Sequence, residues 1–321
     1  VTEFERTPVQ ALKDTDEGRN RFFMKRDDLL PFSFGGNKVR IASEFLKDMR
    51  AEKCDAMIFY GDRRSNLCRV LSALCMREGI PSLMIATEEN PGNGPEPFNS
   101  RLIGMTETKV LKCRKDGIAE AVDRAFDEMK RIGRKPYYIY GSRLGTGREG
   151  IAARAYAGAY GEIEEAEKSM GISFDCIFTP YGTGATQGGL IAGCLERGIK
   201  RKIVGISISS RSRERAMDIL AKTVQDYFLK NGKETPPDIA RSLELHTEYN
   251  CGGYGIHTDE VREMIARLMR TDAVPLDPTY TGKAYLGMKK YLRENGIADS
   301  NVLFLHTGGL PLYFDYLTEG K

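Results

Sequence analysis

The sequence lacks what a metal-binding, membrane-spanning or nucleic-acid-binding protein needs. Its seven cysteines, at positions 54, 68, 75, 113, 176, 194 and 251, include no C-x-x-C pair and have no histidine at metal-ligand spacing. Neither a zinc site nor a structural disulfide is therefore expected. An odd, dispersed set with members in apolar stretches such as "DCIFTP" and "LIAGCLE" reads as reduced thiols in a cytoplasm. No apolar run approaches membrane-spanning length, and "VTEFERTP" is charged and unlike a secretory signal. The 48 basic and 45 acidic residues leave a net charge of +3, so charge points to no nucleic-acid partner. Internal repeats and low-complexity tracts are absent as well.

What is present is an alternation. Across 321 residues, short apolar runs ending in glycine or polar turns alternate with longer helical patterns. The runs at 56–61, 81–87, 108–113, 136–141, 176–182, 202–208 and 302–308 predict strands. Between the first two, Leu67, Val70, Leu71 and Leu74 follow the i, i+3, i+4, i+7 spacing of a helix face. Strand–helix alternation predicts an α/β fold with largely parallel sheets. The Pro/Gly-rich segments 88–99 and 229–242 read as surface loops, being too short for flexible tethers.

The strongest glycine signal is "FTPYGTGATQGGLIAG" (178–193), in which an apolar run meets Gly182, Thr183, Gly184, Ala185 and Thr186 before a helical pattern starts. Backbone N–H groups converging at a helix N-terminus suit a phosphate, and the two threonines add hydroxyls. The stretch lacks the Lys-Ser/Thr ending of a Walker loop, and Gln187 stands where a dinucleotide fingerprint needs glycine. A plain strand-to-helix turn is the alternative. Ser65-Asn66, opening the Leu67–Leu74 helix, offers a second anion site or simply an N-cap. His306 at a strand end is either a base or a structural group, and Tyr254, between glycines, either reaches a cleft or packs.

"FGGNKVRIASEF" (34–45) raises a different point. Ile41, Phe45 and Met49 recur every four residues, Asn37 is a good N-cap type, and Lys38 falls in the first helical turn. A cation is disfavoured there by the partial positive charge of the unpaired N–H groups. A lysine kept neutral part of the time can form a Schiff base with an aldehyde. Lys38 with a phosphate cradle thus points to a phosphate-bearing aldehyde cofactor.

"KRDDLLPFSFGGNKVR", "RRSN", "GTGATQGGL", "DPTYTGKA" and "HTGG" together resemble the fold-type II pyridoxal-phosphate enzymes of the tryptophan synthase β-like superfamily. Within these, the sequence is similar to the group of D-cysteine desulfhydrase and 1-aminocyclopropane-1-carboxylate (ACC) deaminase, from Thr7-Pro8 to about Tyr313. The resemblance implies that Lys38 carries pyridoxal 5'-phosphate and moves the Cα proton. It implies that Gly182, Thr183, Gly184, Ala185 and Thr186 cradle the phosphate, and that Asn66 bonds the 3-hydroxyl. Ser65 would hold the substrate carboxylate, Tyr254 and Tyr280 would flank the substrate, and Thr281 and Thr307 would lie at the ring. In the deaminase the positions matching Thr281 and Thr307 are glutamate and leucine; the desulfhydrase, like this chain, has threonine at both.

A threonine facing the pyridine nitrogen protonates it less than a carboxylate would, so the ring is a weaker electron sink. Expulsion of a β-thiolate is then expected over cyclopropane opening, with a small amino acid such as D-cysteine giving pyruvate, sulfide and ammonia. One departure from the family is Arg63-Arg64 before Ser65-Asn66, with Leu67 in place of a polar residue. The arginines would pair with a second acidic group on a substrate, or else one with Asp62 and the other with solvent. The competing readings are ACC deamination, a β-replacement synthase using an acidic substrate, and a pyridoxal-phosphate-binding protein without turnover. The expected architecture is a small α/β domain at 48–145 inserted into a large one from 1–47 plus 146–321, and the resemblance implies a homodimer.

Overall fold

Apolar runs buried on both faces form the central strands of two separate sheets, and the polypeptide crosses between them. The computed structural model describes residues 6–87, 95–237 and 239–318. The elements run β1 (Val9–Ala11), β2 (Arg21–Arg26), α1 (Asn37–Ala51), β3 (Ala56–Gly61), α2 (Asn66–Arg77), β4 (Ser82–Thr87), α3 (Phe98–Gly104) and β5 (Lys109–Cys113). They continue with α4 (Ile118–Arg131), β6 (Pro136–Tyr138), α5 (Glu149–Met170), β7 (Cys176–Tyr181), α6 (Ala185–Glu196) and β8 (Lys202–Ser207). Last come α7 (Arg213–Lys230), β9 (Glu244–His246), α8 (Asp259–Asp272), α9 (Thr281–Glu294), β10 (Asn301–His306) and α10 (Leu310–Thr318).

The six-stranded sheet has the order β1-β2-β10-β7-β8-β9, and the four-stranded sheet β5-β4-β3-β6. Only β1 with β2 is antiparallel; the rest of the ladders are parallel. Helices cover both faces, which is why β10 reads as an uninterrupted apolar run. Its Leu303 and Leu305 face the core shared with α1, α5 and α6, while Val302 and Phe304 face α8 and α9. The mixed α/β fold is the one that the alternation predicts.

The differences from the sequence pattern are local. The run at 136–141 pairs only as far as Tyr138, whose carbonyl then accepts from Gly141 N at 2.9 Å in a turn. Segment 88–99 holds the start of α3; its residues 88–94 lie outside the described ones. In segment 229–242 the first two residues still belong to α7, residues 231–237 form neither helix nor strand, residue 238 lies outside the described ones, and Ile239–Ser242 make a 3₁₀ turn. Strand β2 is not anticipated by its pattern "RFFMKR", because two of its buried positions are Lys25 and Arg26. Their charges are met by partners outside the strand: Lys25 Nζ reaches the distant Glu162 at 2.6 Å, and Arg26 pairs with Asp28, two residues on, at 2.7 Å.

Lys25 belongs to a buried network that holds the approach to α1. Asp27, fully buried, accepts from Arg40 Nε at 3.1 Å, from the Tyr156 hydroxyl at 2.5 Å and from Thr7. Glu162 on α5 accepts from Arg40 Nη1 at 2.6 Å. Burial would raise the Asp27 carboxyl, but Arg40, Lys25 and the two hydroxyls outweigh it and hold it below the usual carboxylate range. The Asp27 carbonyl takes the N–H of Gly36 at 2.8 Å, so the network anchors the turn that delivers Lys38.

Candidate active site

Helix α1 begins one residue earlier than the N-cap preference of asparagine predicts. Gly36 is the capping residue, at φ 97°, and Asn37 is the first helical one. Asn37 is used otherwise: its backbone N–H donates to the Thr307 carbonyl at 3.1 Å, and its Nδ2 donates to Thr186 Oγ1 at 2.9 Å. Gly36 must be glycine for a second reason, since a Cβ there would lie 2.7 Å from the Thr307 carbonyl oxygen. "FGGN" and "HTGG", far apart in sequence, thus meet backbone to backbone. Lys38 follows in the first turn, on the wall of a cavity of about 360 Å³. Burial lowers its amine to about 8.

The C-terminal ends of β3 and β7 supply the facing walls, where ligands gather in open α/β sheets. After β3, Ser65 caps α2 by accepting from Cys68 N at 3.2 Å. Its hydroxyl proton remains available to the cavity that it lines beside Asn66. The capping and anion-site readings of Ser65 are therefore compatible. After β7, Gly182, Thr183, Gly184, Ala185 and Thr186 all line the cavity, with Gly184 at φ 91° as the N-cap of α6. The first N–H groups of that twelve-residue helix have no intrahelical acceptor, and they open where the loop meets the cavity. Gln187 is buried and donates to the Ile203 and Glu244 carbonyls, tying α6 to β8 and β9.

Tyr254 and Tyr280 stand together on the wall, hydroxyls 3.4 Å apart and rings T-shaped at 6.0 Å. Burial raises both phenols well above their ordinary range, so each stays a proton donor at neutral pH. Asp277 sets this corner: its carboxylate accepts from the backbone N–H of Thr279, Tyr280 and Thr281 at 2.8–3.0 Å.

Three residues singled out in the sequence are placed elsewhere. Thr281 is fully buried with its hydroxyl donating to Asp277 Oδ1 at 2.8 Å and accepting from Asp277 N at 2.8 Å. It does not line the cavity, whereas Thr307 does. Arg63 lines a separate recess with Met84, Ala86 and Glu96. Arg64 runs toward the Gly255 loop, its Nη1 4.0 Å from where a Gly255 Cβ would stand. The turn is set by Asp62 Oδ1, which accepts from Arg64 N at 2.7 Å and leaves Asp62, not the arginines, on the cavity wall. His306 is structural: its Nδ1 accepts from Gly308 N at 3.1 Å, and its Nε2 meets the Pro275 carbonyl at 2.9 Å. The cations that do line the cavity besides Lys38 are Lys115 and Arg211, the latter donating to the Gly182 carbonyl at 2.8 Å. Neither stands in a recognisable motif, so no sequence signal marks them. Tyr60, Asn37 and Asp62 were likewise unmarked as wall residues.

A lowered amine, a helix N-terminus for an anion and a row of neutral donors are the groups that a phosphate-bearing aldehyde would need. The family model described as pyridoxal-phosphate dependent enzyme matches residues 2–308, so the chain belongs to that family. It is 30% identical over 318 residues to the putative 1-aminocyclopropane-1-carboxylate deaminase of Pyrococcus abyssi, spanning 98% of this chain and 92% of that one. It is 26% identical to the 1-aminocyclopropane-1-carboxylate deaminase of Rhizobium rhizogenes, spanning 97% and 94%. The crystal structure of an ACC deaminase homologue superposes with a TM-score of 0.82 at 28% identity, covering 98% of this chain and 93% of that one. Within the family these relatives place the chain in the fold-type II group of ACC deaminase and D-cysteine desulfhydrase. Its cofactor is pyridoxal phosphate.

The close approach at Gly36 has a measurable consequence. Gly36→Ala places a methyl against the Thr307 carbonyl at a positive φ, and is expected to cost about 1–3 kcal/mol. Thermal unfolding of the variant beside a surface Gly133→Ala control, whose Cβ would meet nothing within 4 Å, measures the contact apart from the shared positive-φ strain.

Proposed function

We propose that the protein is a lyase that eliminates the β-substituent of a small amino acid, with D-cysteine and water giving pyruvate, hydrogen sulfide and ammonia. The observation that carries this reading is that Thr307 lines the cavity while no carboxylate from the strand end that holds it does so among the described residues. Among the described wall residues Asp62 is the one acid, and it comes from the β3–α2 turn rather than from the strand that ends at His306. When bound, pyridoxal phosphate supplies an electron sink for the electrons of the Cα–H bond. With a hydroxyl rather than a carboxylate available to it, that sink would be weaker, which would suit a substrate whose leaving group departs easily.

The chain's own residues then divide the work. Lys38, neutral for a substantial part of the time near pH 8, holds the cofactor and takes the Cα proton. Ser65 Oγ donates to the substrate carboxylate, and Asn66 donates to the 3-oxygen of the cofactor. The α6 N-terminus with Thr183 and Thr186 takes the phosphate. Tyr254 and Tyr280, held protonated, donate toward the departing group. The names of the relatives favour a second reading, in which ACC and water give 2-oxobutanoate and ammonia. A β-replacement, with an anionic nucleophile met by Lys115 or Arg211, is the third.

Keto-acid analysis of the cofactor-loaded protein separates these readings. Pyruvate and sulfide from D-cysteine, with none of the 2-oxobutanoate from ACC, is the expected result. Ser65→Ala should raise KM for D-cysteine by about tenfold, the effect of losing one hydrogen bond to a charged group. Release of 2-oxobutanoate from ACC without pyruvate from D-cysteine would replace this reading with the second. Product that incorporates an added nucleophile would replace it with the third.

A further inference from the structure

We propose that Asn99, outside the cavity wall, is a positioning residue that locks the amide of Asn66 so that only its N–H donors face the cofactor. The proposal rests on the reading that Asn66 meets the cofactor's 3-oxygen. Asn99 has no exposed surface. Its Nδ2 lies 2.7 Å from the Arg64 carbonyl oxygen and 3.0 Å from Asn66 Oδ1. A backbone carbonyl only accepts, so the Asn99 atom facing it must be the nitrogen. The same nitrogen reaches Asn66, whose facing atom must then be the oxygen. Neither amide can turn over without setting two acceptors, or two donors, against each other. The Asn66 nitrogen is left for the cavity that Asn66 lines, and no described residue accepts from it.

Two further observations support the assignment. Asn99 Oδ1 is buried with no partner among the described residues, a cost that an apolar side chain would not carry. An asparagine at this point is thus explained by its two donors rather than by filling space. Asn99 is also held from the far side of the cleft. It lies on α3, whose Phe98 N–H donates to Asp315 Oδ1 on α10 at 2.9 Å and whose Phe98 ring meets Phe314 at 6.2 Å. The last helix of the six-stranded layer therefore fixes α3 beneath the Ser65–Asn66 corner, and through Asn99 it fixes the polarity presented to the cofactor.

The test is a pH titration of the long-wavelength absorbance of the pyridoxal-phosphate-loaded protein. A donor on the 3-oxygen favours its anionic form and lets the chromophore lose its proton at lower pH; an opposed carbonyl has the reverse effect. In the isosteric Asn99→Asp variant, two acceptors replace the donors, and Asn66 turns its nitrogen to them and its oxygen to the cofactor. The midpoint is expected to rise by about one pH unit, a tenfold change in proton affinity. Asn66→Ala should raise it too, and Asn99→Asp added to Asn66→Ala should raise it no further. Asn99→Ala, which only frees the amide, should give a smaller rise, and it carries the test if circular dichroism finds the aspartate variant unfolded. A shift in Asn66→Ala with none in the folded Asn99 variants overturns the role of Asn99 and leaves that of Asn66. No shift in Asn66→Ala removes the placement of Asn66 itself, and the inference with it.

Discussion

Lys38→Ala should lower keto-acid release by at least about 10³-fold, because one side chain supplies both the covalent hold on the cofactor and the base for the Cα proton. Lys38→Arg should fare no better, since a guanidinium keeps the charge but is never neutral near pH 7. The loaded wild type and the variants, compared by single-turnover pyruvate release, decide the point; a variant retaining more than a few per cent of the rate would move the base elsewhere. The same lysine predicts a pH dependence. Only the neutral amine attacks an aldehyde, and with the amine at about 8 its neutral fraction rises with pH and levels off above that value. The rate of pyridoxal phosphate capture by the cofactor-free protein should therefore climb about tenfold per pH unit below pH 7 and flatten above about 8. A solvated lysine would still be climbing at pH 9.

Asp27→Ala should lower stability by about 3–5 kcal/mol, because Lys25 and Arg40 are then left to share Glu162, with one buried positive charge uncompensated. For a chain of this size that is a fall in Tm of roughly 10 °C, read by circular dichroism. Exposed Asp123, paired with Arg143 at 3.1 Å, is the control: Asp123→Ala should leave the midpoint almost unmoved. The pH dependence has a definite sign. Asp27 is depressed in the folded protein, so its contribution is present above the carboxyl value of the unfolded chain and is lost as pH falls toward the folded one. The wild type should lose stability on acidification below about pH 4 more steeply than Asp27→Ala does. Because the side-chain network of Asp27 also positions the backbone carbonyl that holds Gly36 N, cofactor loading should weaken in the variant together with Tm.

Local chemistry determined a good part of this protein. The buried parallel strands declare themselves as unbroken apolar runs, since helices cover both faces and no position needs to be polar. That Gly182–Thr186 and Lys38 would face one cavity was legible for a similar reason: a glycine pair before a helical pattern and a lysine in a first helical turn stand out within a few residues. The tertiary structure decided what depends on partners far along the chain. Strand β2 escaped notice because its buried charges are compensated by Glu162 and Asp28, and Glu162 lies more than a hundred residues away. Asn37 looks like a cap until Thr186 and Thr307 arrive to engage it. Arg63 and Arg64 flank the site in sequence, yet the turn set by Asp62 sends Arg63 into another recess, while Lys115 and Arg211 reach the cavity from segments with no motif. Sequence spacing reports which residues share an element, but a side chain's direction and its hydrogen-bond partner are set by whatever the folded chain brings opposite it.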